Sequence, residues 1–296
     1  MSAPWLIVVA SFLFATMGVC VKLATAHYGT GEIVLYRGLA GAVLMVGLSR
    51  WQRGELRTAV PTMHLWRSLS GVAGLCLWFY AIGNLPLATA MTLNYMSSVW
   101  MALFVIGGAA VLGRSQIDGR MIVTVLLGFV GVALVLRPTI EAQQLWHGLM
   151  GLLSGILGAM AYVQVTALGR IGEPEYRVVF YFSLGGIAAG ALMLPWTGVH
   201  GHDAAGAALL LAIGVLATVA QFMMTRAYGT GRLLVNASLQ YLGIVYSFVY
   251  GVLLFSDRIT WLALLGMVLI VGAGVSATLL RSRSIANDPG RPPAES

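Results

Sequence analysis

Several neutral polar side chains stand inside long apolar stretches: Asn94, Tyr95, Tyr162, Gln164, Gln221, Asn236, Gln240, Tyr241 and Tyr246. An amide both donates and accepts hydrogen bonds, so it can meet a carboxylate or an ammonium. An aromatic face attracts an ammonium through its quadrupole. Trp78, Trp100 and Tyr80 add large apolar surfaces nearby in sequence. Trp78, Asn94, Tyr95, Tyr162, Gln221, Gln240 and Tyr241 are therefore the expected substrate contacts. Such a lining suits a small zwitterion with an apolar side chain. It suits a sugar phosphate poorly, because that needs two or more buried cations. The competing reading of each amide is glue between helices.

Groups that move protons or hold metals are placed elsewhere. The 10 acidic residues and 5 histidines fall in loops, tails or helix ends. That pattern argues against a carboxylate or imidazole proton relay, a carboxylate-rich metal site and two-carboxylate hydrolysis. His200-Gly201-His202-Asp203 has ligand-type residues but no identifiable further ligand, and reads as a polar outer loop. No glycine-rich phosphate loop with a following Lys-Ser/Thr occurs. The expectation is a chain without cofactor, metal or enzymatic activity, working as a facilitator or exchanger or else coupling through a route that the sequence hides. Lys22 and Arg37 are the charges nearest the interior of apolar runs. Lys22 reads as a snorkelling stem, or else as an outer attractor for a carboxylate. Arg37 reads as a staple on helix-end carbonyls or a partner of Glu32.

The elements that must carry these residues are hydrophobic helices. The chain has 296 residues, 59% hydrophobic and 9% charged, with 37 glycines; soluble domains hold about 25% charged residues. A bilayer-spanning helix needs about 20 mostly apolar residues. Stretches of that kind lie near 5–24, 31–49, 65–84, 88–112, 121–137, 146–168, 176–195, 205–226, 233–255 and 260–280. All the prolines fall near helix ends or in loops, so no helix is expected to break in its middle. The N-terminus reads as a retained first helix and not a signal peptide. Cys20 and Cys76 read as small packing residues. The tail 282–296 has no apolar face and is expected to be disordered.

The net charge of +7 reflects topology rather than nucleic-acid binding. With the N-terminus in the cytoplasm, the inner side holds Arg50, Arg53, Arg57, Arg67, Arg114, Arg120, Arg170, Arg177, Arg226, Arg232, Arg281, Arg283 and Arg291. The outer side holds Lys22, Arg137 and Arg258. The positive-inside rule then places both termini in the cytoplasm of a bacterial cell inner membrane.

A repeat is also legible. Ala81-Ile82-Gly83-Asn84, Thr92-Leu93-Asn94-Tyr95 and Val99-Trp100 answer to Ala227-Tyr228-Gly229-Thr230, Ser238-Leu239-Gln240-Tyr241 and Val245-Tyr246, each at an offset of 146 residues. Two five-helix halves follow, 1–138 and 139–281. Five is odd, so the halves enter the membrane in opposite senses, as an inverted repeat. Gly151-x-x-x-Gly155 and Gly186-x-x-x-Gly190 allow close helix approach, within one chain rather than across a dimer. A monomer is expected.

Lys22 ending helix 1, Arg37, the Ala81 to Ala90 run, Asn94-Tyr95 and the Phe255 to Thr260 loop resemble the drug/metabolite transporter superfamily, EamA type. Within it the resemblance is to a YddG-like amino-acid exporter. It covers nearly all of 5–280. It implies an all-α membrane protein of ten transmembrane helices that exports small metabolites, amino acids first, by alternating access through a central cavity. The partners implied are a small-molecule substrate and the lipid bilayer. Two departures stand out: Ser98 and Ile244 lie where relatives carry proline, and the helix 4–5 loop near Arg114 lacks the acidic residue that Asp257 keeps in the second half.

Overall fold

The computed structural model describes residues 2–111, 142–231, 239–257 and 260–286, with isolated positions at 123, 127, 130, 131, 134 and 236. Most of the expected 121–137 helix, with Arg114, Arg120, Arg137, Arg232, Arg258 and the tail 287–296, lies outside the described residues. The described elements are all helical: α1 Ala3–Ala24, α2 Thr30–Trp51, α3 Pro61–Asn84, α4 Leu87–Tyr95, α5 Ser97–Val111, α6 Ala142–Arg170, α7 Glu175–Thr197, α8 Ala204–Thr230, α9 Leu242–Phe255 and α10 Trp261–Ala286. Among the described residues six helices are long and apolar enough to cross a membrane, namely α1, α2, α3, α6, α7 and α8. Shorter apolar helices lie at Leu242–Phe255 and Leu264–Ala273.

Two expectations change. The stretch 88–112 is not one helix: α4 ends at Tyr95, Met96 turns, and α5 begins at Ser97. The second half has a matching turn at Gln240-Tyr241, just before α9. Met96 keeps helical dihedrals (φ −55°, ψ −15°), so the ladder is interrupted without a reversal of the chain. Neither proline nor glycine marks this break. The last helix also runs on to Ala286, past the start of the expected disordered tail.

Packing follows the glycines. Chief helix partners are α2 with α7, α3 with α6 and α1 with α8, and α4 packs between α6 and α9. At the α2–α7 crossing a Cβ on Gly190 would lie 2.5 Å from the Leu35 nitrogen, and one on Gly38 2.8 Å from the Ser183 oxygen. At the α4–α6 crossing a Cβ on Gly155 would lie 2.7 Å from the Leu93 oxygen. Both small-residue motifs therefore serve packing within the chain. Backbones this close replace bulky side-chain contact with van der Waals contact along the whole crossing.

The α2–α3 and α6–α7 loops are joined through Glu173. Its carboxylate accepts from the Thr58 hydroxyl at 2.6 Å and from Arg177 Nη1 at 2.8 Å, and His64 Nε2 lies 3.7 Å away. Arg177 also donates to the Glu55 carbonyl. Burial pushes the Glu173 pKa up, but the Thr58 and Arg177 hydrogen bonds and the Arg177 charge outweigh it and hold the carboxyl below the usual range. A depressed folded-state pKa stabilises above the unfolded value and loses that contribution as pH falls through the folded one. Glu173→Gln should thus have a lower thermal midpoint than the parent at pH 7. The gap should close as acid takes both below the carboxylate range, measured by melting in detergent across pH.

Candidate functional site: a central cavity with two buried guanidiniums

A cavity opens where α1, α2, α3, α4, α6, α7 and α8 converge, with about 560 Å³ of free space counted with its open mouth. Of the residues read from the sequence as contacts, Trp78, Asn94, Tyr95, Tyr162 and Gln221 line it. The rest of the wall is Phe14, Met17, Gly71, Gly74, Leu75, Ser154, Gly158, Ala161 and Phe182, with Arg37 and Arg67.

Backbone proximity sets the polar part of this wall. The Gly155 crossing brings α6 against the end of α4, where Asn94 Nδ2 donates to Ser154 Oγ at 3.1 Å. Ser154 in turn donates to the Gly151 carbonyl at 2.5 Å. Asn94 and its neighbour Tyr95 both line the cavity. Adjacent positions differ by about 100° on a helix, so the two side chains leave α4 in different directions. All of α4 is buried, which leaves both residues among protein walls.

Gln240 and Tyr241 do not line the cavity but stand behind its wall. The Gln240 side chain hydrogen-bonds the Tyr162 hydroxyl, and Tyr162 stacks on Tyr228 with ring centroids 5.3 Å apart and planes 11° apart. The Tyr241 hydroxyl faces Ser98 on α5. Reciprocally, the Tyr95 hydroxyl lies against Gly243 on α9, where it occupies the space of a Cβ. Each of the two tyrosines therefore reaches from one interrupted helix onto the other.

Arg37 and Arg67 are the residues that the sequence reading missed. Arg37 was expected to staple helix-end carbonyls or pair with Glu32. Instead Glu32 accepts from the His200 backbone at 3.0 Å and contacts His200 Nδ1 at 2.6 Å. His202 Nε2 lies 4.0 Å from the same carboxylate. Arg37 is left 4% exposed, and its guanidinium lies 4.8 Å from the Phe182 ring centroid. Arg67 was placed with the inner-loop arginines. It is 2% exposed, within α3, at 4.3 Å from the same ring centroid. No carboxylate pairs with either guanidinium among the described residues. The Arg37 Nε and the Arg67 Nε and Nη1 are buried without a hydrogen-bond partner. The expectation that the site lacks two buried cations is thereby overturned.

Lys22 serves the C-terminal end of α1. Its Nζ donates to the Leu85 carbonyl at 2.6 Å and stands 5.5 Å from the Phe255 ring centroid. Two residues along, the Leu87 backbone N–H donates to Asp257 Oδ2 at 3.0 Å. The loop after α9 therefore supplies the cap of α4 and holds the α3–α4 link from the second half of the chain. A lost cap costs about 0.5–2 kcal/mol. Asp257→Ala should lower the thermal midpoint in detergent, and Asp257→Asn, which keeps an acceptor, should lower it less.

Comparison with known proteins accords with this geometry. Residues 1–137 match the EamA-like transporter family. The chain is 34% identical over 277 residues to the pseudopaline exporter CntI of Pseudomonas aeruginosa (strain UCBPP-PA14), covering 93% of this chain and 95% of the relative. The chain belongs to the EamA-like transporter family. This EamA-like transporter is 22% identical to a riboflavin transporter of Brucella anthropi, over 90% of the chain and 95% of the relative. It is also 22% identical to an S-adenosylmethionine uptake transporter of Rickettsia felis, over 82% of the chain and 80% of the relative. A crystal structure 19% identical to it superposes with a TM-score of 0.69, over 95% of this chain and 98% of that one, and so shares its fold. The EamA-like transporter is a multi-pass membrane protein that moves small metabolites, and it is not an enzyme.

Proposed function

We propose that the chain exports amino acids and kindred small carboxylates across the bacterial inner membrane, by alternating access through the central cavity. The observation that carries this reading is the cavity wall itself. Trp78, Tyr95 and Tyr162 offer apolar faces, Asn94 and Gln221 offer amides, and Arg37 and Arg67 offer charge for a carboxylate. Guanidinium and carboxylate form paired, charge-assisted hydrogen bonds. The direction follows the pseudopaline exporter, and the amino-acid class keeps to the YddG-like resemblance. A cavity in which the described carboxylates take no part accords with a facilitator or exchanger.

The proposed architecture is ten helices in two inverted halves, 1–138 and 139–281, with both termini cytoplasmic. The helix partners support it. Exchanging the halves maps α1 onto α6, α2 onto α7, α3 onto α8 and α5 onto α9. Under that exchange α2–α7 returns to itself, and α3–α6 becomes α8–α1, which is also a principal pairing. The interruptions at Met96 and at Gln240-Tyr241 fall at equivalent places, and inverted halves rocking about a midplane site need such discontinuous helices. The test is counterflow. Purified protein in liposomes preloaded with unlabelled amino acids should accumulate labelled ones without an ion gradient. Empty liposomes and liposomes bearing an unrelated membrane protein should not. Equal accumulation in all three would refute the reading.

A further inference from the structure

The central cavity is rich in donors and poor in negative charge. The buried polar atoms without partners on its lining residues include Arg37 Nε, Arg67 Nε and Nη1, Trp78 Nε1 and Gln221 Nε2. Each of these carries a hydrogen to donate. The described acidic residues are engaged or placed elsewhere. Glu32 is held by His200, Glu173 by Thr58 and Arg177, and Asp257 by Leu87, while Asp203 caps α8 through the Gly206 nitrogen. None of them lines the cavity.

Two charges in such a place need an explanation. A guanidinium buried in the apolar interior of a membrane protein is costly. A cation–π contact offsets part of that cost, and here one ring, Phe182, serves both guanidiniums. Each arginine also repels the other. The balance is unfavourable for the empty site and is corrected by a ligand with two negative groups. An amino acid with an uncharged side chain brings one carboxylate and one ammonium. Its ammonium would find no carboxylate among the described residues and two like charges nearby. The sequence-based preference for a neutral zwitterion is reversed by this charge count.

We propose that the cavity selects small metabolites carrying two anionic groups, which Arg37 and Arg67 neutralise together, over neutral zwitterions of the same size. This rests on the transport reading and narrows it from amino acids in general to acidic ones and their dianionic analogues. Two chemistries supply a second negative charge, a second carboxylate or a phosphate monoester.

Glutamate and glutamine provide the decisive comparison, because they share size and shape and differ by one charge. Thermal stabilisation of the detergent-purified protein should be half-maximal at a glutamate concentration about tenfold or more below that for glutamine. Succinate and glycerol 3-phosphate form the other arms: response to the first alone assigns a dicarboxylate site, and to the second alone a phosphate site. Arg37→Gln and Arg67→Gln should each erase the preference. Arg67→Met should raise the melting temperature of the unliganded protein, since it removes a buried unpaired charge, and should lose the response to dianions. Gly71→Ala offers a milder variant, because its Cβ would fall on the Arg67 guanidinium and displace it.

Equal response to glutamate and glutamine overturns the proposal, as does an absent response to every dianion or a preference that survives both arginine variants. The comparison in the parent protein needs no variant to fold. If neutral amino acids show counterflow and the dianions have no advantage, this inference fails while the transport reading stands. If nothing is carried at all, the transport reading fails with it.

Discussion

Gly190→Leu should abolish recovery of folded protein, whereas Gly47→Leu should leave it unchanged. A Cβ at position 190 meets the Leu35 nitrogen at 2.5 Å and the Gly31 oxygen at 2.8 Å. The obstacle is the backbone of α2, which cannot change rotamer. Overpacking a core that yields costs about 1–3 kcal/mol, and a crossing fixed by main chain exceeds that because both helices must separate. Separation would also carry Phe182 on α7 away from Arg37 on α2 and open the cavity wall. Gly47, in the same α2, has nothing within 4 Å of its Cβ position, so leucine there meets open space. Monodisperse yield in detergent, with both variants expressed side by side, checks the contrast.

Tyr95→Ala and Tyr241→Ala should each reduce transport about tenfold or more while folded yield stays near that of the parent. The expected loss is about 1–3 kcal/mol for a contact made in the working protein, and 1.4 kcal/mol is tenfold. Tyr95 lines the cavity and rests its hydroxyl on Gly243, while Tyr241 faces Ser98. The pair joins α4–α5 to α9 at the two interruptions, where the proposed movement of the halves would pass. Tyr95→Phe should retain most of the ring's packing and recover part of the activity. Counterflow rates normalised to monodisperse protein test this. Normal rates, or losses that track yield alone, would show that the rings only glue helices.

Much of the cavity was legible because a neutral polar residue inside an apolar helix has few reasons to be there. Trp78, Asn94, Tyr95, Tyr162 and Gln221 stood out on that ground and meet at one wall. Arg67 did not, since six residues into α3 and near an arginine-rich loop it has the pattern of the positive-inside rule. Only packing distinguishes a guanidinium aimed inward at Phe182 from one aimed at solvent. Arg37 was misread because Glu32 stood five residues away. The actual partner of Glu32 is His200, 168 residues distant, and this long-range pairing frees Arg37. The interruption at Met96 was illegible for a different reason. Its dihedrals remain helical, and no proline or glycine announces it, so local propensity contains no trace of it. Membrane-helix limits were easier, since hydrocarbon thickness and the flanking charges set them together.

The central claim is that one cavity, reached alternately from either side of the membrane, is the transport route. Gly158→Cys tests it most directly. The position lines the cavity, and its Cβ would make only ordinary contact, 3.7 Å from the Ser97 Cβ. With Cys20→Ala and Cys76→Ala as background, a membrane-impermeant thiol reagent should modify Cys at 158 in right-side-out and in inside-out vesicles alike. Glutamate should slow the modification from both sides. Modification from one side only, or from neither, in a variant that still catalyses counterflow would contradict the account.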